Sequence, residues 1–235
     1  GKIILYTSQD SVMQIASDTS VLPLTKLYEV CEAARAVMTG ERTVGRVIAR
    51  PFFHDECGHF RRTKDRKDYS LEPPGQTLLD RLAAANIPVI GVGKIGDIFC
   101  ERGISRSFHT GSNSEGLDLL ARLIGDTEEG LVFVNLVETD MLFGHRNDVR
   151  GYSKALRLID SRLEDILIIT ADHGCDPTTP STDHSREYVP LLICGKQVSP
   201  CDLGTLEGFD NVARFIASAF GLDDGCELYK TVMRR

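Results

Sequence analysis

The sequence predicts an α/β protein in which a layered core with a mostly parallel sheet follows a small α+β lobe. After Pro74, apolar runs of strand length alternate regularly with segments of helical periodicity, which is typical of parallel sheets covered by helices. Residues 1–71 lack this alternation. We therefore expect a small lobe at residues 1–71 and the core at residues 72–235, a division that suits a chain of 235 residues.

In the first lobe, short apolar runs at residues 2–6 and 46–50 predict strands. Residues 24–38 repeat apolar side chains at three- and four-residue spacing, which predicts an amphipathic helix. Residues 51–74 hold three prolines and few apolar residues, so we expect a long loop or a lobe boundary there.

In the core, stretches of helical periodicity separate the apolar runs, and Gly221 closes the last helix. Ligands of open α/β sheets bind beyond the carboxyl ends of strands, so polar side chains at these ends are the first candidates for a site. The pattern predicts helices at residues 76–85, 113–124, 148–162 and 209–220, and strands at residues 89–92, 131–136, 166–170 and 189–193.

The composition excludes several classes of protein. Hydrophobic and charged contents of 42% and 26% are ordinary for a globular protein, and a net charge of −7 argues against nucleic-acid binding. No apolar run approaches the roughly 20 residues that span a bilayer, and the first residues carry no signal-peptide pattern. Seven scattered cysteines, an odd number, indicate reduced thiols. We expect a cytoplasmic protein.

One stretch departs from the acidic average. Residues 46–67 contain seven cationic and three anionic side chains, an excess of four positive charges. A local basic patch of this kind suits a small phosphorylated ligand. A solvated loop is the alternative, and the sequence leaves both open.

Two aspartates and three histidines follow the apolar runs of the core. They are Asp140 and His145 after residues 131–136, Asp172 and His173 after residues 166–170, and His184 in the polar loop that follows. Carboxylate oxygens and imidazoles together are typical ligands of divalent-metal centres for hydrolysis or phosphoryl transfer. Two ions about 3.5–4 Å apart can clamp the attacking and leaving oxygens.

We expect Asp140, His145 and His184 to hold one ion, and Asp172 with His173 to hold part of a second. Each residue taken alone has an alternative as a helix cap, loop or turn residue. The pair at 172–173 is the hardest to explain structurally, because an apolar strand delivers two ionisable groups into a glycine turn.

Four further residues are set apart. Cys175 lies beside the pair at 172–173, so it either joins the metal centre or fills space as a loop thiol. His54, His59 and His109 lie outside the strand-end pattern, and we expect them on the surface.

Seven segments together resemble the phosphopentomutase family of the alkaline phosphatase superfamily, over nearly the whole chain. The three segments that contain the candidate ligands are the most specific in combination. The segments are YTSQDSV at 6–12, GRVIARP at 45–51, RKDYSL at 66–71, GKI at 93–95, TDMLFGHR at 139–146, ADHG at 171–174 and PTTPSTDHSREYVP at 177–190.

The resemblance implies an alkaline-phosphatase-like core and a cap that includes residues 1–71. It implies an isomerase of nucleoside salvage that depends on Mn²⁺ and moves phosphate between the C1 and C5 hydroxyls of ribose or deoxyribose. Asp140, His145 and His184 match the family's ligands of one Mn²⁺, and Asp172 and His173 match ligands of the other. The positions that match contacts to the pentose phosphate are Ser8, Asp10, Arg46, Ile48 and Lys94.

The chain also departs from the family pattern. The family's N-terminal core segment, with an aspartate ligand and the threonine that becomes phosphorylated, has no counterpart here, so no catalytic nucleophile is identified. The connection near residues 160–169 is several residues shorter than usual. We therefore expect one well-formed metal site, a second weak site, and no activity of this chain alone, unless a missing N-terminal segment or a partner chain completes it.

Two alternatives to a phosphopentomutase remain open. The chain can be a non-catalytic or degenerate relative that binds metal and sugar phosphate, or another phosphatase or mutase of the same superfamily. Nucleic acid and membrane are not expected as partners.

Overall fold

The computed structural model describes residues 2–8, 11–162, 167–223 and 225–233, without the side chains of Ser8 and Leu167. The chain divides into two compact units. The first comprises Gly1–Gly75 and Asp97–Glu101, and the second comprises Gln76–Gly96 and Arg102–Arg235. The division expected from the sequence lies between residues 71 and 72, and its assignment as cap and core stays a prediction.

The first unit is a mixed sheet with one long helix. Parallel pairing joins β2 to β3, while β1 is antiparallel to β2, and β4 and β5 are both antiparallel to β3. Its elements are β1 (Ile4–Ser8), β2 (Val12–Asp18), α1 (Leu24–Val37), a 3₁₀ turn (Gly40–Arg42), β3 (Arg46–His54), β4 (Phe60–Arg62) and β5 (Lys67–Ser70).

The core of this unit forms where α1 covers the sheet. Leu27 and Cys31 of α1 are buried against Ile15 of β2 and against Val47 and Ala49 of β3. Burial of these apolar side chains is the main force that holds the helix to the sheet. The helix expected at residues 24–38 is therefore confirmed.

Of the two expectations for residues 51–74, the long loop is wrong, whereas the lobe boundary stays a prediction. Strand β3 continues through Pro51 to His54, and both β4 and β5 lie within the stretch. Pro51 is tolerated because it falls between the two ladders on one side of β3: β5 pairs up to Ala49, and β4 pairs from Phe52. A missing N–H at this junction removes no bond from either ladder.

The second unit contains a parallel sheet in the order β7-β6-β8 and an antiparallel pair, β9 with β10. The α/β class and the parallel core are confirmed, whereas β9 and β10 depart from the parallel arrangement. The elements are α2 (Leu78–Ala84), β6 (Val89–Val92), α3 (Ile95–Phe99, whose last three residues belong to the first unit), β7 (Arg106–Phe108), α4 (Asn113–Asp126), β8 (Leu131–Val134), α5 (Val149–Asp160), β9 (Leu167–Ile169), β10 (Leu192–Cys194), α6 (Asp210–Ala219) and α7 (Glu227–Val232).

The parallel sheet packs against α4. Ile90 and Val92 of β6 are buried with Leu123 of α4. At the end of β6, Gly93 has φ +79°, and a Cβ there would lie 2.4 Å from the carbonyl oxygen of Asn135, just after β8. Only glycine permits this close approach of the two strand ends. None of the helices among the described residues has the length and apolar character needed to cross a bilayer.

Candidate metal centre

The segment that carries Asp140 is fixed by hydrogen bonds between Asn113, which is buried, and Glu138, which is partly buried. Asn113, the first residue of α4, is 1% exposed. The backbone N–H of Asn113 donates to Oε2 of Glu138 at 2.6 Å, and the backbone N–H of Glu138 donates to Oδ1 of Asn113 at 3.1 Å. Its Nδ2 also donates to Oγ1 of Thr139 at 3.3 Å. These bonds satisfy buried polar groups and set the direction of the chain as it enters Asp140.

After Asp140 the chain turns tightly, and this turn brings His145 back toward it. A π-helical turn (Thr139–Phe143) runs into a 3₁₀ turn (Gly144–Arg146). The start of α5 supports the first of these turns: a Cβ on Gly151 would lie 2.2 Å from Cδ1 of Phe143, so the ring lies directly on the helix backbone.

A short backbone bridge brings the other two histidines together. Gly174 and Ser185 form an isolated antiparallel bridge, with N–H to carbonyl distances of 3.2 and 2.9 Å. Because His173 and His184 are their sequence neighbours, the two imidazoles meet, and their rings stack with centroids 3.5 Å apart. A Cβ on Gly174 would lie 2.9 Å from Oγ of Ser185, so any other residue at 174 would displace this hydroxyl.

Asp140 lies between two histidines. Its Oδ2 is 3.4 Å from Nε2 of His145, and its Oδ1 is 3.4 Å from Nε2 of His184. Two ligands at about 2.1 Å from a tetrahedral ion are separated by about 3.4 Å, which is the spacing observed. Among the described residues, Oδ1 of Asp140 is buried and accepts no hydrogen bond. A bound cation would offset the cost of burying this oxygen, so the residues fit a divalent ion.

Backbone carbonyls orient two of the imidazoles. Nδ1 of His145 lies 2.6 Å from the carbonyl oxygen of Thr182, and Nδ1 of His173 lies 3.2 Å from that of Gly174. A carbonyl only accepts, so in each ring Nδ1 carries the proton and donates it. In the neutral ring, Nε2 then keeps its lone pair for a metal, as in many histidine metal sites.

The structure brings four of the five candidate ligands into one cluster. One ligand atom each from Asp140, His173 and His184 lies within 4.8 Å of the others, and the same holds for Asp140, His145 and Cys175. Asp172 lies at the margin: its side chain is 82% exposed, and its Oδ2 is 3.6 Å from Nε2 of His173. The sequence pairs His173 with Asp172, whereas here it also faces Asp140 and His184. How the ligands divide between two ions stays a prediction.

Cys175 is the site residue that the sequence left undecided. Burial raises the pKa of its thiol to about 11, and the charge of Asp140 and a hydrogen bond to it act in the same direction. The thiol is thus protonated at neutral pH when no cation is bound. Its place two residues after His173 is the only signal for it in the sequence.

The candidate substrate residues lie in both units. Lys94 follows Gly93 at the carboxyl end of β6, the edge of a parallel sheet where ligands bind. Arg46 and Ile48 lie on β3, where Ile48 is buried and Nη1 of Arg46 is 3.9 Å from Oδ2 of Asp68. The backbone of Ser8 ends β1, and Asp10 lies outside the described residues.

The basic stretch is partly neutralised by carboxylates. Arg61 pairs with Asp55, Arg66 makes two bonds of 2.6 Å to Asp68, and Lys67 lies 3.7 Å from Glu32. Both readings of the stretch, phosphate patch and solvated surface, therefore remain open. The three histidines set apart in the sequence, at positions 54, 59 and 109, are exposed, as predicted.

Comparison with known proteins adds two findings. A profile of the metalloenzyme superfamily matches residues 56–224. The phosphopentomutase of Carboxydothermus hydrogenoformans is 52% identical in an alignment of 235 positions that covers 96% of this chain and 60% of that protein. The phosphopentomutase of Acetivibrio thermocellus is 50% identical, over 97% of this chain and 61% of that protein. The chain thus spans about 60% of the length of the curated relatives it matches.

Proposed function

Because this chain belongs to the metalloenzyme superfamily, we propose that it acts in a phosphopentomutase, an isomerase that moves phosphate between the C1 and C5 hydroxyls of ribose or deoxyribose. Similarity to phosphopentomutases over more than nine tenths of the chain supports this proposal. The observation that carries it is the placement of Asp140 with one oxygen 3.4 Å from Nε2 of His145 and the other 3.4 Å from Nε2 of His184.

Sites of mixed imidazoles and carboxylates accept manganese, zinc or iron, so the ligands alone do not select the ion. We propose Mn²⁺ because the resemblance to phosphopentomutases implies it. Divalent cations, when bound, neutralise the phosphoryl oxygens and hold the attacking and leaving oxygens in line. The protein's own part is positioning. The Asn113–Glu138 pair fixes the chain before Asp140, and carbonyls of Thr182 and Gly174 hold the imidazoles.

The residues proposed to bind the pentose phosphate supply charge and hydrogen bonds. Arg46 and Lys94 are cations suited to phosphate, and Ser8 and Asp10 offer oxygens for sugar hydroxyls. Ile48 matches the family pattern as well. We assign residues 1–71 to the cap and 72–235 to the core, and we place the protein in the cytoplasm, which its odd, scattered cysteines favour.

Metal binding is tested by titrating the purified chain with Mn²⁺ in a calorimeter near neutral pH. We expect saturable binding that His184→Ala abolishes. The matched control is His109→Ala, which removes an exposed imidazole outside the cluster. Equal binding by both variants would contradict the proposed centre.

Activity is tested with the protein expressed from its complete gene. Ribose 1-phosphate and Mn²⁺ are supplied, and ribose 5-phosphate and free phosphate are measured in parallel. We expect ribose 5-phosphate without free phosphate. Release of free phosphate alone would indicate a phosphatase of the same superfamily, and saturable ribose 5-phosphate binding without turnover would indicate a non-catalytic relative.

A further inference from the structure

Cys175 lies against the two residues that form one side of the proposed metal centre. We propose that Cys175 is an additional ligand for thiol-seeking ions, so that Zn²⁺, Co²⁺ and Cd²⁺ bind through its sulfur together with Asp140 and His145. This inference rests on the proposed metal centre and adds a means of discriminating between metals.

The geometry is close to that of a bound ion. The sulfur, an oxygen of Asp140 and a ring nitrogen of His145 all lie within 4.8 Å of one another. In a tetrahedral zinc site, sulfur and nitrogen ligands are about 3.6 Å apart, so no pair of these atoms has to close by more than roughly 1.2 Å. The oxygen and nitrogen are already 3.4 Å apart.

The backbone makes room for this sulfur. A Cβ on Gly144 would lie 2.6 Å from Sγ of Cys175, so any other residue at 144 would displace the thiol. Cys175 in turn follows Gly174, whose bridge to Ser185 fixes the start of the loop. The thiol is thus held against the turn that carries Asp140 and His145.

Sulfur changes which ion the centre prefers. Thiolate is a soft ligand that favours zinc, cobalt and cadmium, whereas Mn²⁺ prefers oxygen and nitrogen. When such an ion binds, an S–metal bond forms, the S–H bond breaks, and the proton passes to the buffer, with no change in oxidation state. The centre should therefore retain Zn²⁺ more tightly than its Asp and His ligands alone would.

Cobalt is the probe for the test, because its absorption reports the ligands directly. We expect the chain titrated with Co²⁺ to show visible d–d bands and a near-ultraviolet sulfur-to-cobalt charge-transfer band. Cys175→Ser should lose the charge-transfer band and keep the d–d bands. Its affinity for Zn²⁺, measured by competition, should fall roughly tenfold or more, while that for Mn²⁺ changes little.

Two control variants keep the reading specific. Cys201→Ser removes an exposed thiol that belongs to none of the candidate ligand groups in the described part of the chain. Cys57→Ser removes the thiol of the other candidate group among the described residues, Asp55 with Cys57 and His59. We expect both variants to keep the charge-transfer band of the unmodified chain.

The outcomes separate this inference from the proposed function. Visible d–d bands without a charge-transfer band, or a band lost in Cys57→Ser instead of Cys175→Ser, would overturn the role of Cys175 and leave the metal centre standing. Absence of both Co²⁺ and Mn²⁺ binding would overturn the centre itself. If Cys175→Ser fails to fold, Cys175→Ala serves in its place. If neither variant folds, a charge-transfer band that persists in Cys57→Ser and Cys201→Ser supports the role of Cys175. Absence of the charge-transfer band from the unmodified chain overturns this role.

Discussion

Replacing Gly151 by alanine should destabilise the protein and weaken its metal centre together. The added Cβ would lie 2.2 and 2.6 Å from Cδ1 and Cε1 of Phe143, and 2.5 Å from Oδ2 of Asp148. Carbon atoms pack at about 3.5–4.0 Å, so the ring has to move by more than 1 Å. Phe143 lies in the turn between Asp140 and His145, so its displacement should shift both ligands.

The magnitude follows from three effects. Overpacking costs about 1–3 kcal/mol. Disturbing the cap in which Asp148 accepts from the N–H of Gly151 adds up to about 1 kcal/mol. The helix propensity gained by replacing glycine with alanine offsets about 0.5–1 kcal/mol. The net loss should be roughly 1–3 kcal/mol.

Gly125→Ala is the matched control, because Gly125 also lies in a helix but has nothing within 4 Å of an added Cβ. Urea unfolding followed by circular dichroism should show a loss for Gly151→Ala and no loss for Gly125→Ala. Calorimetry should show weaker Mn²⁺ binding for the first variant alone. If the two variants unfold at the same urea concentration, the reasoning from this contact is refuted.

Two further changes test other parts of the second unit. Two hydrogen bonds hold the pKa of Asp80 well below its usual range: the larger effect comes from the side chain of Arg102 and the smaller from the backbone N–H of Thr77. The stabilisation from this lowered pKa is therefore present above the ordinary carboxyl pKa of about 3.9 and is lost as the pH falls below it. Asp80→Asn should reduce the free energy of unfolding by about 1–2 kcal/mol at pH 7 and by progressively less in acid. Unfolding measured across pH tests this expectation. A cost that stays constant down to low pH would contradict that origin. Asn113→Ala leaves the N–H of Glu138 without its acceptor and should cost about 1–3 kcal/mol in urea unfolding while weakening Mn²⁺ binding; unchanged Mn²⁺ affinity would show that this pair does not position the site.

The fold could be predicted where local pattern and burial agree. The helices at 24–38, 113–124 and 148–162 carry regular apolar spacing and appear as α1, α4 and α5 within a few residues. Strand β2 (Val12–Asp18) was missed because its polar residues suggest exposure. The strand is buried, however, and Gln14 accepts a hydrogen bond from Nε of Arg50 at 2.8 Å. The partner lies 36 residues away, where no local pattern can reveal it.

For the site, the sequence located residue types at strand ends but not their mutual distances. Asp140 and His145 follow β8, as expected from the rule that ligands bind beyond carboxyl strand ends. The stacking of His173 on His184 depends on a backbone bridge between residues distant in sequence, and nothing in the periodicity indicates it. The approach of the Cys175 sulfur depends on an absent side chain at Gly144, which only three-dimensional packing reveals.

The Gly174–Ser185 bridge makes the residues between them a closed ring whose two ends cannot drift apart. Because the free energy of closing a loop grows only slowly with its length, extra residues inserted before Thr182 would cost little in closure entropy. They would preserve the metal centre only where the carbonyl of Thr182, inside the ring, still accepts from Nδ1 of His145. Relatives and engineered versions should thus tolerate insertions in this ring only where Thr182 and His184 keep their places.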